Sequence, residues 1–524
     1  MANVFMERSD FRMFGAILEL EERKKRVAHW NHSDLSRRAR KAKLFEITLA
    51  REKSAWLINT TFITALPVAD RYLRRAAIVF MDTSTLFAKE KTWKLILKLA
   101  PPVMLAQLIQ ALYNIVDSLF VGRYSETGLT ALSILYPVQL LMIALAVGTG
   151  VGMNTNIAAR LGVGDRKQAE DYAVVGTPLA VVIWILFALF GILLMPAYAR
   201  MSTESADVIR EVITYGRMIC IFSFGLCLES VWTKVLQANG DMKTPMIAQI
   251  TGAVTNIILD PILIFGLFGL PSLGILGAAI ATVIGQIAAA VIVGRKGFKR
   301  ARIPAGAKRY IRNIYRLGLP NILMQCTYTI YILGLNLILA TFSDQAVTAL
   351  GLYYKWQTFF YIPLGAMQTC VVPVISFNYS SGNVTRCRET LRDSMIFGLV
   401  LMAFGTACFV LIPEPMLRIF TSDELVVSIG RWAFPFIGIS FLPMTASQIF
   451  PVFFQALGQG VKSALITIVR TVVLFVPLGY LFSRFGLDWF WLTFPVTELL
   501  TTALGLFFYR GFLRREQKQN PEST

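Results

Sequence analysis

Long apolar stretches alternate with short polar connections along residues 96–510. An α-helix needs about 20 apolar residues to cross the hydrocarbon core of a bilayer, and each stretch is about that long or longer. Twelve such segments run over residues 96–121, 129–153, 173–196, 212–236, 246–269, 273–294, 314–341, 348–374, 393–413, 432–456, 463–483 and 487–510. The pattern predicts an all-α polytopic protein with twelve transmembrane helices in a lipid bilayer.

The connections between the segments differ in charge. Residues 295–316, after the sixth segment, carry nine Lys or Arg residues, and the other even-numbered connections are also basic. The odd-numbered connections carry few charges, and residues 265–274 (FGLFGLPSLG) carry none. Because Lys and Arg accumulate in cytoplasmic loops, we expect a multi-pass protein of the inner (plasma) membrane with both termini in the cytoplasm.

The composition agrees with a membrane protein and argues against other classes. Of 524 residues, 55 % are hydrophobic and only 16 % are charged. The net charge of +19 lies mostly in the N-terminal region and in short loops, which basic cytoplasmic loops explain without a nucleic-acid partner. The six cysteines have neither a disulfide nor a zinc spacing, and both histidines, His29 and His32, precede the first segment. We therefore expect no enzymatic activity and no cofactor.

An internal repeat divides the membrane segments into two halves. At one offset of 218 residues, LAPP at 99–102 meets LGLP at 317–320, TAL at 130–132 meets TAL at 348–350, and QA at 237–238 meets QA at 455–456. Each half holds six segments, so both halves enter the membrane from the same side as parallel repeats. Two parallel six-helix bundles around a central cleft are typical of transporters that bind substrate near the bilayer midplane.

This repeat sets the expected domains. We expect an N-lobe of six transmembrane helices over residues 81–294 and a C-lobe of six over residues 317–512. A basic cytoplasmic linker, residues 295–316, connects the lobes, and residues 513–524 form a polar tail.

Residues 1–80 differ from the rest of the chain. They are rich in arginine and mixed in charge, and they contain no apolar stretch long enough to span a membrane. Met81 opens a short basic leader into the first segment, which is typical of a natural start. We therefore expect residues 1–80 to be upstream sequence from a misassigned start. The alternative is a cytoplasmic, partly helical extension whose basic clusters contact anionic lipid.

The first segment contains an acidic residue, Asp117, near its end. Helical spacing places Gln110, Tyr113 and Asn114 on the same face. A carboxylate at the bilayer centre costs about 2.5–3.5 kcal/mol on insertion scales, so an intramembrane acid is by default a functional residue. The alternative is an aspartate hydrated at the membrane interface.

The fifth segment contains a second acid beside a proline. Asn256 and Asp260 are four residues apart on one helical face, and Pro261 deprives the carbonyl of Ile257 of its helical partner. These groups predict a cation or proton site, and the alternative is a simple proline kink. If Asp117 and Asp260 share one cavity, their mutual repulsion and their removal from water both favour a bound proton or sodium ion.

The chain from Leu99 to about Phe512 resembles the multidrug and toxic compound extrusion (MATE) family, within the multidrug/oligosaccharidyl-lipid/polysaccharide flippase superfamily. The resemblance lies in the following stretches, in this order: YNIVDSLFVGR (113–123), TALSILYPVQLLMIALAVGTGVG (130–152), ARLGVGD (159–165), LQANGDMKTPM (236–246) and NIILDPILIFGLFGLPSLGILGAAIATVIGQ (256–286). It implies a V-shaped fold of two six-helix bundles, and a monomer that exports bulky cationic or amphipathic drugs in exchange for H⁺ or Na⁺.

The resemblance also implies which residues couple transport to the cation. The prokaryotic branch of the family has an N-lobe network of two aspartates with nearby Tyr, Asn and Thr. By motif, Asp117, Asn256 and Asp260 fall on this network, Tyr215 matches the tyrosine and Thr282 matches the threonine. If the coupling ion is Na⁺, then Asp117, Asn256 and Asp260 are its expected ligands.

The second half departs from a pattern found in some family members, which have a carboxylate in the seventh span. Here Asp117 aligns with Leu335, and the seventh segment has no acid, so we expect the coupling site in the N-terminal half alone.

Charged residues inside the other segments suggest further roles. Besides Gln110, Tyr113 and Asn114, the candidates for a substrate cleft are Glu229 and Lys355. Glu229 alternatively faces the cytoplasmic rim, and Lys355 alternatively extends to the membrane surface. Arg470 and Glu498 are expected to pair with each other in a structural role.

We therefore expect a secondary active multidrug antiporter that works by alternating access. The main alternative is a lipid-linked oligosaccharide or polysaccharide flippase of the same superfamily, but a pyrophosphate needs a cationic cavity and the N-terminal half is mostly acidic. An intramembrane enzyme lacks a catalytic motif, and parallel repeats with buried carboxylates argue against a channel.

A chain that begins at Met81 is expected to export substrate at the same rate as the full chain. The measurement is dye efflux from cells that express equal amounts of the two proteins. Lower efflux from the shortened chain would show that residues 1–80 belong to the functional protein.

Overall fold

The computed structural model describes residues 83–299 and 303–519, and these residues form helices and connections without a β-strand. The expected extension, residues 1–80, lies outside the described residues together with the expected start at Met81. Residues 300–302 of the linker and residues 520–524 of the polar tail also lie outside them.

Twelve spans, α1 to α12, follow one another in the described chain. They are α1 (Thr92–Tyr124), α2 (Glu126–Gly162), α3 (Arg166–Ser202), α4 (Ala206–Ile221 and Phe224–Ala238), α5 (Lys243–Phe265), α6 (Ile275–Gly297), α7 (Ala307–Ala340), α8 (Asp344–Ser380), α9 (Val384–Leu411), α10 (Glu424–Ala456), α11 (Gly460–Ser483) and α12 (Thr493–Gln519). Eleven helices are long and apolar enough to cross a membrane, and the two pieces of α4 form the twelfth span. The predicted all-α, twelve-span class is confirmed.

The helices depart from regular geometry at three places. The two pieces of α4 meet at a bend of 44°. There the carbonyl of Ile221 accepts a hydrogen bond from the Trp184 indole at 2.7 Å, and the carbonyl of Cys220 accepts one from the Ser223 hydroxyl at 2.9 Å. These side chains satisfy backbone groups that lipid cannot. In α3 and α11, a π-helical turn interrupts the span, over Phe190–Leu194 and Val469–Phe475 respectively.

Each half of the chain packs around its own core. The N-lobe, α1 to α6, buries a cluster that includes Leu135, Tyr172 and Ile219, and the C-lobe, α7 to α12, buries one that includes Phe409 and Phe441. The C-lobe core is dominated by aromatic rings, and Phe409 stacks on Phe434 with ring centroids 4.8 Å apart. Two six-helix bundles with separate cores are the architecture that the repeat predicts.

The lobes contact each other closely along α2. A Cβ added at Gly152 of α2 would lie 2.1 Å from the carbonyl oxygen of Ile314 in α7, and one added at Gly162 would lie 2.1 Å from that of Phe377 in α8. Only glycine permits the two backbones to approach this far, as is usual where helices pack inside membranes.

A short helix before α1, Thr83–Lys89, completes this contact. Its Phe87 ring is fully buried and packs edge-on against Phe377 at a centroid distance of 5.7 Å. The carbonyl of Phe87 accepts hydrogen bonds from the Asn378 amide at 3.1 Å and from the Arg386 guanidinium at 2.7 Å. The short helix is therefore bound to the C-lobe, although it precedes the first span of the N-lobe.

Further hydrogen bonds between the lobes lie at the same end of the molecule. The Thr92 hydroxyl at the start of α1 donates to Asp393 near the start of α9. The Tyr310 hydroxyl of α7 donates to Asp171 at 2.9 Å, and the Asn313 amide donates to the Tyr172 hydroxyl at 2.9 Å. All these residues lie near the even-numbered connections, so the lobes are joined at the end that carries the basic loops.

We expect Gly152→Ala to lower the thermal stability of the protein, because the added methyl group collides with the backbone of α7. Overpacking of this kind costs about 1–3 kcal/mol, and the measurement is the melting temperature of the purified chain in detergent. Gly351→Ala is the matched control. A Cβ at Gly351, inside α8, meets nothing within 4 Å, and alanine is the better helix former. Equal melting temperatures for the two variants would contradict the close contact at Gly152.

Candidate functional site

A cavity in the N-lobe opens between α1, α4, α5 and α6. Its lining combines polar side chains with glycine and alanine and consists of Gln110, Tyr113, Leu226, Glu229, Gln249, Gly252, Ala253, Asn256, Thr282, Gly285, Gln286 and Ala289. The small residues of α5 and α6 bring these helices together, since a Cβ at Gly285 would lie 2.6 Å from the carbonyl oxygen of Gly252. The close packing of α5 and α6 positions the polar groups on a rigid wall.

Asn256 of the predicted pair in α5 lines the cavity, and Asp260 lies one helical turn further along α5, outside the lining. Asp260 is fully buried and Asn256 nearly so. The Asn256 amide donates to a carboxylate oxygen of Asp260 at 3.1 Å and contacts the Thr282 hydroxyl at 3.4 Å. The four-residue spacing on α5 makes the first contact possible, and α5 continues as a helix through Pro261.

Asp117 and Tyr215 approach the same pair from α1 and α4. Asp117 is close enough to Asp260 and Tyr215 to interact with both electrostatically. The Tyr215 side chain is buried, and its hydroxyl interacts with Thr282 and accepts a hydrogen bond from Gln139 at 3.4 Å. The five residues predicted for cation coupling are therefore brought together by four helices.

Three buried oxygens of this group have no hydrogen-bond partner among the residues that the structure describes. They are Asp117 Oδ1, Asn256 Oδ1 and Asp260 Oδ2. An unpaired buried acceptor costs about 1–3 kcal/mol, and more if it is charged. All three are acceptors, so a proton or a hard cation would satisfy them, since such cations prefer oxygen ligands. Among the described residues no group of three His, Cys, Asp or Glu could hold a metal ion, so a sodium site here would use two carboxylates with amide and hydroxyl oxygens.

The predicted cleft residues divide into two groups. Gln110, Tyr113 and Glu229 line the cavity. Glu229 is buried and accepts hydrogen bonds from the Thr233 hydroxyl at 2.8 Å and the Gln249 amide at 3.4 Å. Asn114, in contrast, is exposed and outside the lining, because one helical step from Tyr113 turns it about 100° away.

Lys355 does not reach this cavity. Its side chain is exposed, and its ammonium lies 5.1 Å from the ring centroid of Phe420, in the connection after α9. Its role in a substrate cleft stays a prediction, with extension to the membrane surface as the alternative. The predicted pairing of Arg470 with Glu498 is confirmed, with a shortest distance of 2.5 Å.

The sequence did not single out four polar residues of the cavity region. Gln139, Thr233, Gln286 and Ser230 support the predicted residues or extend the lining. A spacing of four residues relates Thr233 to Glu229 and Gln286 to Thr282, and this spacing is the signal that could have found them.

The chain matches a known protein-family model. The MatE model matches twice, over residues 102–262 and 320–481. The two matches start 218 residues apart, the same offset as the internal repeat.

Curated relatives cover most of the chain at low identity. A protein named "Probable multidrug resistance protein NorM" from Thermotoga maritima is 23 % identical over 445 residues, 81 % of this chain and 95 % of that protein. A protein named "FAD transporter" from Shewanella oneidensis is 25 % identical over 78 % of this chain and 92 % of its own length. A "Multidrug export protein MepA" from Staphylococcus haemolyticus is 24 % identical over 82 % and 96 %.

Solved structures agree in fold. One, described as the outward-facing conformation of a multidrug resistance MATE family transporter of the MOP superfamily, has a TM-score of 0.77 at 23 % identity and covers 83 % of this chain and 98 % of its own. Another, a MOP superfamily transporter from Pyrococcus furiosus described by the reverse polarity of its binding pocket, has a TM-score of 0.75 at 24 % identity and covers 83 % and 99 %.

We expect Asp260→Asn to raise the melting temperature of the purified protein by a few degrees. The change replaces a buried carboxylate, one of whose oxygens is unpaired, by a neutral amide of the same shape. Asp393→Asn is the matched control with the opposite sign. Asp393 is also buried, but it accepts a hydrogen bond from Thr92 and pairs with Arg392 at 3.2 Å, so its neutralisation removes favourable contacts. A lower melting temperature for both variants would show that Asp260 is paired like Asp393.

Proposed function

The chain belongs to the MatE family, and we propose that it is a secondary active antiporter of the plasma membrane that exports drugs and other xenobiotics in exchange for H⁺ or Na⁺. The unpaired oxygens of Asn256, which lines the N-lobe cavity, and of Asp117 and Asp260 beside it carry this proposal. They are kept inside a membrane protein at a cost in stability, which natural proteins accept mainly at functional sites.

Coupling requires that the cation favours one conformation over another. A bound proton or sodium ion removes the repulsion between Asp117 and Asp260 and lets α1 approach α5, whereas the empty site pushes them apart. A ligand shifts a conformational equilibrium only by such a difference in binding free energy. One charge moved through 100 mV supplies about 2.3 kcal/mol, which can drive export against a gradient.

The connection between the lobes supports alternating access. The lobes contact each other at the end of the molecule that carries the basic loops, through α2, α7, α8 and the short helix Thr83–Lys89. If basic loops face the cytoplasm, this arrangement closes the cytoplasmic side of the cleft. Export then requires that these contacts break and that the opposite ends of the lobes close.

The charge of the cavity favours cationic or amphipathic substrates. Glu229 lines the cavity and Asp117 lies beside it, and no Lys or Arg belongs to the described lining. A flippase for lipid-linked sugars, or a carrier of a dinucleotide such as the FAD of one relative, must bind a pyrophosphate, which needs cationic partners. In the C-lobe, Arg470 is already bound by Glu498. The acidic cavity therefore favours drug export over both alternatives.

Asp117→Asn and Asp260→Asn should each reduce cation-driven dye efflux to the rate of protein-free liposomes, because a neutral amide cannot exchange the coupling cation. The purified variants are reconstituted in equal amounts in proteoliposomes. Asp344→Asn is the matched control, since Asp344 is an exposed acid at the start of α8, and it should transport like the unchanged protein.

Imposing H⁺ and Na⁺ gradients separately on the same liposomes identifies the coupling ion. The unchanged protein should respond to at least one of them. Efflux retained by both N-lobe variants would rule out coupling at this cavity, and efflux that ignores both gradients would rule out antiport.

A further inference from the structure

The C-lobe contains one buried ion pair between two of its spans. Arg470 in the π-helical turn of α11 and Glu498 in α12 have side chains that are 6 % and 1 % exposed. The Arg470 Nε atom lies 3.1 and 3.2 Å from the two carboxylate oxygens, and Nη2 lies 2.5 Å from Oε1. The guanidinium therefore contacts both oxygens of the carboxylate.

Two neighbouring side chains also contact this pair. The Ser447 hydroxyl of α10 donates to Glu498 Oε2, and the guanidinium carbon lies 5.1 Å from the ring centroid of Phe475. Neither side chain has a buried atom without a partner among the described residues. Glu498 thus differs from Asp117 and Asp260, each of which has an unpaired buried oxygen.

The pair lies between C-lobe spans that the repeat relates to walls of the N-lobe cavity. The cavity lies between α1, α4, α5 and α6, and the repeat relates α4, α5 and α6 to α10, α11 and α12. At the offset of 218 residues, Ser447 corresponds to Glu229 and Arg470 corresponds to Gly252, and both N-lobe residues line the cavity. Glu498 corresponds to Ile280, which lies outside the lining, so only the α10 and α11 members of this group match lining positions.

We propose that the Arg470 guanidinium takes the place of an exchangeable cation beside Glu498 in the C-lobe. Glu498 therefore takes up no external cation, and each transport cycle exchanges cations at the N-lobe alone. This inference rests on the proposed antiport. It assigns Arg470 a positioning role that sets how many cations accompany each substrate molecule.

The chemistry of arginine suits this role. A guanidinium stays charged at physiological pH and its planar fork binds a carboxylate through two hydrogen bonds, and a covalent tether prevents it from leaving. An external ion, in contrast, would exchange with solvent, and a lysine is tethered but binds a carboxylate without the planar fork. Because the buried pair is neutral as a whole, the C-lobe can change conformation without releasing or binding charge.

Carbodiimide labelling tests the proposal without measuring transport. A hydrophobic carbodiimide modifies buried carboxyl groups in the protonated form, and mass spectrometry of the peptides locates the added mass. In the unchanged full chain in detergent, Asp117 or Asp260 should be labelled while Glu498 is not. In Arg470→Met, Glu498 should become labelled, and in Arg470→Lys, which keeps a cation, it should stay unlabelled.

The labelling outcomes decide the proposal directly. Labelling of Glu498 in the unchanged chain would overturn it, and so would an unlabelled Glu498 in Arg470→Met. The N-lobe acids are the internal control, since their reaction reports on the proposed coupling site independently of Glu498. Failure of the proposed function and failure of this inference therefore appear on different peptides.

The number of exchanged cations provides the second test. The test imposes a tenfold gradient of the coupling cation with the membrane potential held at zero. Each additional exchanged cation then raises the final ratio of substrate concentrations about tenfold, because the free energy of the substrate gradient equals that released by the cations. Arg470→Met should show this increase over the unchanged protein, because Glu498 then takes an external cation.

The double variant Arg470→Met with Glu498→Gln keeps this test decisive if Arg470→Met does not fold. Replacing both members of a buried pair by neutral residues of similar size is often neutral for stability. The double variant should show the same substrate ratio as the unchanged protein. A lower ratio would mean that Glu498 exchanges a cation in the natural cycle and would overturn the proposal.

Discussion

A carboxylate inside a membrane protein has to be compensated, and the structure depends on how each lobe meets this requirement. Taking an ion out of water costs several kcal/mol or more unless it is paired and hydrogen-bonded. In the C-lobe, Glu498 has a guanidinium and a hydroxyl as partners. In the N-lobe, Asp117 and Asp260 each keep an oxygen that no described residue satisfies. The buried carboxylate of the C-lobe is therefore compensated by the chain itself, and in the proposed cycle a proton or a cation compensates the two of the N-lobe.

Helix α1 connects the unsatisfied acids to the contact between the lobes. Thr92 at its start donates to Asp393 of the C-lobe, and Asp117 lies about 37 Å further along the helix axis. Pro101 and Pro102 lie between the two ends, and a proline removes a backbone hydrogen bond and lets a helix bend. In the proposed cycle, cation binding at Asp117 changes the position of the upper part of α1, and the bend determines how much of that movement reaches Thr92.

The hydropathy pattern and the repeat predict the twelve spans and the two lobes. Asp117, Asn256, Asp260, Tyr215 and Thr282 converge as expected, because i, i+4 spacing is visible in a sequence and the family resemblance supplies the rest. Asn114 lies outside the lining of this cavity, one helical step from the face of Tyr113, and its role in a substrate cleft stays a prediction. The docking of Phe87 onto the C-lobe and the glycine contacts of α2 could not be predicted, since they join residues of opposite lobes with no common periodicity.

The internal repeat relates two lobes that differ at corresponding positions. Two identical halves would bury the same acids, and each half would need a cation in every cycle. Here Leu335 takes the place of the acid of α1, and Arg470 brings a cation into the position that corresponds to Gly252. Gly252 lines the N-lobe cavity, whereas Arg470 at the matching repeat position pairs with Glu498. In the proposed cycle, this difference in side-chain volume and charge separates an exchanging lobe from a permanently neutral one.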